Sequence, residues 1–191
     1  MTLSEFKELT KVNFTNEKLL NQAFIHRSFI NENPRSGLEH NERLEFLGDA
    51  VLELIVTEFL YTKYPHHNEG DLTSYRSALV NAVTLGEVAS SPQFNDMLKP
   101  SKGEAKDVSR ARSSILADAY EAFVGALYLD QGYESAKDFI TRTLLGKTDE
   151  IIRKGLYKDA KSFVQEKAQE LYGITPSYRV LHEEGPDHDK L

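Results

Sequence analysis

Apolar residues recur at three- and four-residue spacing through 6–9, 19–30, 44–64, 72–88, 115–129 and 139–152, and no comparable run of strict alternation precedes Tyr178. A period near 3.6 belongs to helices that turn one face inward, so this stretch predicts an all-α body. Breaks fall at Asn33-Pro34-Arg35-Ser36-Gly37, Tyr64-Pro65-His66-His67-Asn68, Lys99-Pro100-Ser101-Lys102-Gly103 and Gln131-Gly132, since proline lacks a backbone donor and glycine tolerates φ angles that other residues avoid. The polar stretch Gly146-Lys147-Thr148-Asp149-Glu150 and then Lys154-Gly155 read as the end of that body. The expected division is a helical domain over 1–147, a linker over 148–158 and a smaller piece over 159–191. Within the last, 159–172 predicts an amphipathic helix, 177–181 a strand and Gly185-Pro186-Asp187-His188 a turn.

A chain of 191 residues can bury one sizeable core and carry a small appendage. It has no cysteine, which excludes disulfides, thiolate metal sites and cysteine nucleophiles. Any metal must therefore be held by oxygen or imidazole. No apolar stretch approaches the length of a membrane span, and the expectation is a soluble, cytoplasmic protein. The formal charge of −7 argues against holding nucleic acid by bulk positive charge, because phosphates are neutralised by Lys and Arg. If RNA is bound, local basic patches and cations must offset that charge.

The strongest chemical signal lies in 41–55. At about 100° per residue, Glu42, Glu45, Phe46, Asp49 and Glu53 share one helical face, while Leu44, Leu47, Val51, Leu54 and Ile55 form the core face. A stripe of like charges is tolerable on a solvated helix, at roughly 0.2–0.5 kcal/mol per pair, so alone it proves little. A second helix over 114–127 places Asp118 and Glu121 among small and apolar residues, where carboxylates demand a counter-charge. Gly48 on the first helix, with Ala117, Ala119, Ala122, Gly125 and Ala126 on the second, thins both surfaces and allows a close approach that would gather the four carboxylates. Clustered carboxylates without cysteine suit a hard divalent cation such as Mg²⁺, with Mn²⁺ possible, and metal-assisted phosphodiester hydrolysis follows from that chemistry. A di-iron carboxylate bundle also pairs acidic helices, but it calls for Glu-x-x-His, and no histidine stands three residues after Glu42, Glu45 or Glu121. Solvated acidic faces on both helices remain the plain alternative.

The segment His40-Asn41-Glu42-Arg43-Leu44-Glu45-Phe46-Leu47-Gly48-Asp49-Ala50 resembles the signature of the ribonuclease III family. The likeness continues in family order through Glu69-Gly70-Asp71-Leu72, Lys102-Gly103-Glu104, Ser114-Ile115-Leu116-Ala117-Asp118-Ala119-Tyr120-Glu121-Ala122 and Leu129-Asp130-Gln131-Gly132. The resemblance implies an all-α endonuclease domain that cuts double-stranded RNA. It implies Glu45, Asp118 and Glu121 as metal ligands, Asp49 as a catalytic carboxylate acting with Glu121, and Glu42 and Glu69 as accessory acids near the scissile strand. It further implies a homodimer, products with a 5′-phosphate and a short 3′ overhang, and no small-molecule cofactor. Phe46 points to a partner on independent grounds, because an aromatic on the acidic side of its helix is better explained by a partner surface than by free exposure.

Residues 159–166, Tyr178-Arg179-Val180 and Gly185-Pro186-Asp187-His188 are similar to the start of an α-β-β-β-α double-stranded-RNA-binding domain. That likeness implies RNA contacts for Gln165, Glu166 and His188. It stops before the remaining strands and second helix, so an incomplete, marginally stable module is expected over 159–191. An alternative from another class stays open, a non-catalytic scaffold that binds duplex RNA.

Overall fold

The computed structural model describes residues 2–104, 110–157 and 160–179, and the chain divides into two compact units after Tyr157. In the first unit the helices are α1 (Leu3–Thr10), α2 (Glu17–Ala23), α3 (Arg27–Glu32), α4 (Glu42–Lys63), α5 (Glu69–Val80), α6 (Ala82–Ala89), α7 (Pro92–Met97), α8 (Arg110–Thr143) and α9 (Thr148–Arg153). The second unit contributes α10 (Ala160–Tyr172). The all-α expectation holds. Among the described residues the one β feature is an isolated parallel bridge between Ile25 and Lys99.

The centre of the first unit is the crossing of α4 and α8, with α2 and α6 packed on α8 and α5 on α4. Leu44, Val51, Leu52, Ile55, Val56 and Leu60 of α4 and Ala117, Ala119, Ala122, Phe123 and Ala126 of α8 are buried in one apolar core. Around Phe123 the rings of Phe6, Phe24 and Phe94 meet edge-on or tilted, with Phe6 and Phe24 centroids 5.1 Å apart. Edge-to-face packing aligns the ring quadrupoles, and it anchors the N-terminal helices to α8. At the far end of that contact the Asp130 carboxylate accepts from Thr15 Oγ1 at 2.7 Å and from the Thr15 and Asn16 amides at 2.8 Å, fastening α8 to the start of α2.

Several expectations need refinement. The apolar run 19–30 is interrupted at 24–26, where Phe24 and His26 exchange backbone bonds with Lys99, and the run 72–88 is divided at Asn81, whose side chain caps α6. The break at Gln131-Gly132 is a kink within α8, carried by Gly132 at φ 79°, a conformation that costs glycine little. Leu54, placed on the core face from periodicity, is 58% exposed. It lies at the edge of the apolar arc, beyond the strip that α8 covers. Residues 148–157 do not stand apart as a linker, because Thr148 and Ile151 are buried and Tyr157 sets its ring edge-on to Tyr75 at 4.7 Å. The polar residues that suggested a linker are on the outer side, where Asp149 accepts from Lys63 at 2.6 Å and from the Tyr64 hydroxyl at 3.0 Å. In the second unit the strand expected over 177–181 does not form within the described part, since residues 174–179 have no regular structure; residues 180 and 181 lie outside the described residues.

Candidate active site

The acidic site owes its existence to two glycines. A Cβ on Gly48 would lie 1.8 Å from the Glu121 carbonyl oxygen and 2.9 Å from the Gly125 nitrogen, and one on Gly125 would lie 2.2 Å from the Leu44 carbonyl oxygen. The helices therefore touch backbone to backbone, with no room for a methyl group on either. One turn of α4 then faces one turn of α8, and Glu45, Asp118 and Glu121 each offer a carboxylate oxygen within 4.8 Å of the others.

The surroundings make these carboxylates reluctant to ionise. Burial first, then the charges of Asp118, Glu42 and Asp49, pushes Glu45 up to about 7. Burial, followed by Asp49, Asp118 and Glu45, pushes Glu121 up to about 8. Burial also raises Asp118, against an opposing pull from His26. Among the described residues no lysine or arginine is ion-paired with any of the three. A partly buried carboxylate cluster with no ion-paired lysine or arginine among the described residues is short of positive charge, and an all-oxygen donor set of this kind fits a hard divalent cation.

Stability should follow that shortage. The unfolded glutamates titrate near 4.5, so the folded, metal-free protein binds more protons than the unfolded chain over the interval up to about 8. The stabilising effect of those protons is complete below the unfolded value and lost as pH rises through the folded ones. Calorimetry without divalent ions should show the melting temperature falling from pH 6 to pH 9, and millimolar Mg²⁺ should remove most of that fall by binding only the folded unit. Identical pH profiles with and without the ion would argue against a cation at this cluster.

The remaining expected site residues are placed unequally. Asp49 is exposed, yet its charge acts on both Glu45 and Glu121. Glu42 sits at the rim, 3.2 Å from Arg27 Nη1 and 3.7 Å from His40 Nδ1. Glu69 opens α5, accepts from Thr73 Oγ1 at 3.1 Å, and is not among the charges that act on the cluster. Phe46 is 81% exposed beside the acidic face, with Leu54 and Tyr61 exposed further along α4. Gln165 is exposed on α10, Glu166 belongs to the same helix, and His188 lies outside the described residues.

The sequence assigned no role to the residues around His26, whose charge acts on Asp118. Glu104 accepts from Ser28 Oγ, from Ser101 Oγ at 3.2 Å and weakly from the Ser101 amide at 3.4 Å, and it lies 3.3 Å from His26 Nδ1. The Ser101 amide also donates to Ser28 Oγ at 2.8 Å. These bonds fasten the strap over 99–104 to the start of α3. Lys102-Gly103-Glu104 was visible as a motif, but nothing local in the sequence says that its glutamate reaches back to Ser28.

A family model described as Ribonuclease-III-like matches residues 16–148. Ribonuclease 3 of a Geobacillus species is 46% identical over 193 aligned residues, covering 98% of this chain and 77% of the relative. The enzyme of the same name from Borreliella burgdorferi is 44% identical, covering 99% of this chain and 77% of its own length. Among solved structures, the nuclease domain of ribonuclease III from Campylobacter jejuni, described as flexible in a region involved in dimer formation, superposes with a TM-score of 0.66 at 37% identity, over 74% of this chain and 95% of that one. Dicer from Pichia stipitis matches at 28% identity and a TM-score of 0.54, over 92% of this chain and 78% of that one.

Proposed function

Because the chain belongs to the ribonuclease III family and is an endoribonuclease acting on double-stranded RNA, we propose that it cuts with Mg²⁺ held by Glu45, Asp118 and Glu121, and that Mn²⁺ can take its place. The supporting observation is the convergence of those three carboxylates at the glycine crossing. When bound, the cation supplies positive charge for the scissile phosphate and lowers the pKa of a water. The protein does the rest by position. Glu45 and Asp118, on different helices, fix the ion relative to the backbone. Glu121 completes the ligand set, and Asp49, close enough to act on Glu121 electrostatically, orients the attacking water and accepts its proton. Glu42, tethered to Arg27, and Glu69 are accessory acids along the RNA path. The leaving 3′-oxygen is protonated by solvent, and the product keeps a 5′-phosphate.

The exposed Phe46 supports a homodimer in which this ring enters a partner surface and each protomer cuts one strand. Residues 159–191 are read as the N-terminal part of a double-stranded-RNA-binding domain, with Gln165, Glu166 and His188 toward the minor groove. Structured transcripts such as ribosomal-RNA precursors in the cytoplasm are the proposed substrates. No helix among the described residues is long and apolar enough to cross a membrane.

A labelled duplex RNA incubated with the protein in Mg²⁺ should yield short duplexes with 5′-phosphate ends, and EDTA should stop the reaction. Binding without cleavage in either condition would leave a duplex-binding scaffold in place of the metal-dependent nuclease.

A further inference from the structure

Asparagine begins four helices among the described residues, and in three of them it does what asparagine does best at that position. The side chains of Asn16, Asn68 and Asn81 accept from amides in the first turns of α2, α5 and α6. Asn41 begins α4 and makes no such cap; its backbone is already helical at φ −86°, ψ −10°. Its side chain turns inward instead and donates to the Ala23 carbonyl at 3.2 Å. At 1% exposure it is, with Thr148, one of the buried polar residues of the described chain.

The backbone of Asn41 joins the same two places. Its N–H donates to the Ile25 carbonyl at 2.9 Å, and its carbonyl accepts from the Leu44 and Glu45 amides at 2.8 and 2.9 Å. Next to it, Gln22 Nε2 donates to the His40 carbonyl at 3.1 Å. Residues 24–26 are fixed on their other side by Lys99, which donates to Phe24 at 2.8 Å and accepts from His26 at 3.1 Å. The first turn of α4 thus hangs from a segment that is itself held firmly, and Glu45 hangs from Asn41.

We propose that Asn41 is a positioning residue for the metal site: its bond to Ala23 fixes where α4 starts, and so where Glu45 stands relative to Asp118 and Glu121. The inference rests on the reading that these three carboxylates hold the cation. A helix whose start is defined only by its own cap can slide or fray by a fraction of a turn; one whose first residue is bonded sideways to another segment cannot. That difference explains why the capping bond is forgone at this helix alone among the asparagine-led ones.

Asn41→Ser separates the two roles, because serine caps a helix well but cannot reach Ala23. Mn²⁺ binding to RNA-free protein, read by electron paramagnetic resonance, should weaken about tenfold, and single-turnover cleavage at saturating RNA should slow by a similar factor, as for partners that orient metal ligands elsewhere. Duplex affinity measured in Ca²⁺ should stay unchanged. Thr148→Val, which removes a buried bond to Leu145 far along the chain, should lower the melting temperature yet leave Mn²⁺ affinity and rate as they were. Should Asn41→Ser fail to fold, Gln22→Ala, which removes the adjacent tether to His40, must weaken Mn²⁺ binding by a smaller factor in the same direction. Wild-type Mn²⁺ affinity in a folded Asn41→Ser, an equal loss in Thr148→Val, or no change in Gln22→Ala beside an unfolded Asn41→Ser would each overturn the proposal. Absence of Mn²⁺ binding in the wild type would instead overturn the metal-site reading beneath it.

Discussion

Replacing Gly48 with alanine should lower the melting temperature by about 10 °C and cut the cleavage rate by about two orders of magnitude. Two effects oppose each other here. Alanine is the better helix former by about 1 kcal/mol, so on a free helix the substitution would stabilise. Against that, the added methyl would sit 1.8 Å from the Glu121 carbonyl oxygen. That obstacle is main chain inside a helix, which cannot step aside as a flexible side chain could, and overpacking a tight contact costs about 1–3 kcal/mol or more. With roughly 3 kcal/mol lost at about 2–4 °C per kcal/mol for a domain of this size, the clash wins. The helices must separate, and the site separates with them, because Glu45 and Glu121 flank the contact. Misplacing reacting groups by an ångström costs about 10²-fold in rate. Gly146→Ala is the control, since a Cβ there meets nothing within 4 Å, and both its melting and its activity should match the wild type. If Gly48→Ala melts and cleaves normally, the helices do not cross as closely as described and the carboxylate cluster needs another origin.

The crossing was legible in the sequence because it is written in residues that are otherwise poor choices. A glycine inside a helix and carboxylates among alanines each work against their local setting, and close approach of the two helices, with the cation proposed for the cluster, would account for both. The acidic faces of α4 and α8 could be read from a period of 3.6, which needs only local spacing. What escaped was set by contacts that have no local signature. Leu54 satisfies the apolar period and is nonetheless exposed, because periodicity gives the direction of a side chain and says nothing about which arc the neighbour covers. Asp149 and Glu150 look like linker residues, but they are the outer face of α9, whose inner residue Ile151 is buried. Asn41 stands in the sequence only as part of a motif, and only the placement of Ala23 turns its amide into a tether. The Glu104–Ser28 bond spans 76 residues of chain and belongs to the same class.

Glu121→Gln should separate binding from cleavage more sharply than any other single change. Glutamine keeps the size and helix propensity of glutamate, so α8 and its crossing with α4 should survive. What disappears is a negative charge, and the consequence depends on pH. Without metal, Glu121 is pushed up to about 8 by burial and by Asp49, Asp118 and Glu45, so near neutrality it is already largely protonated and the variant should melt close to the wild type. At pH 9 the wild-type side chain is ionised against its neighbours, and the variant should be the more stable protein. With Mg²⁺ present the order reverses in function. Under the proposed assignment the cation would lose an anionic ligand and the water a group that activates it, and removal of a group acting at the transition state typically costs a factor of about 10² or more. Duplex affinity in Ca²⁺ should be kept or improved, because one repulsive charge facing the phosphates is gone, and without metal near neutrality it should be unchanged, because the wild-type side chain there is already largely uncharged. The measurements are melting at pH 7 and pH 9, duplex binding, and single-turnover cleavage in saturating Mg²⁺. Near-wild-type cleavage by Glu121→Gln would remove this carboxylate from the metal centre, and the acidic faces of α4 and α8 would then be a solvated scaffold whose raised titration has no catalytic meaning.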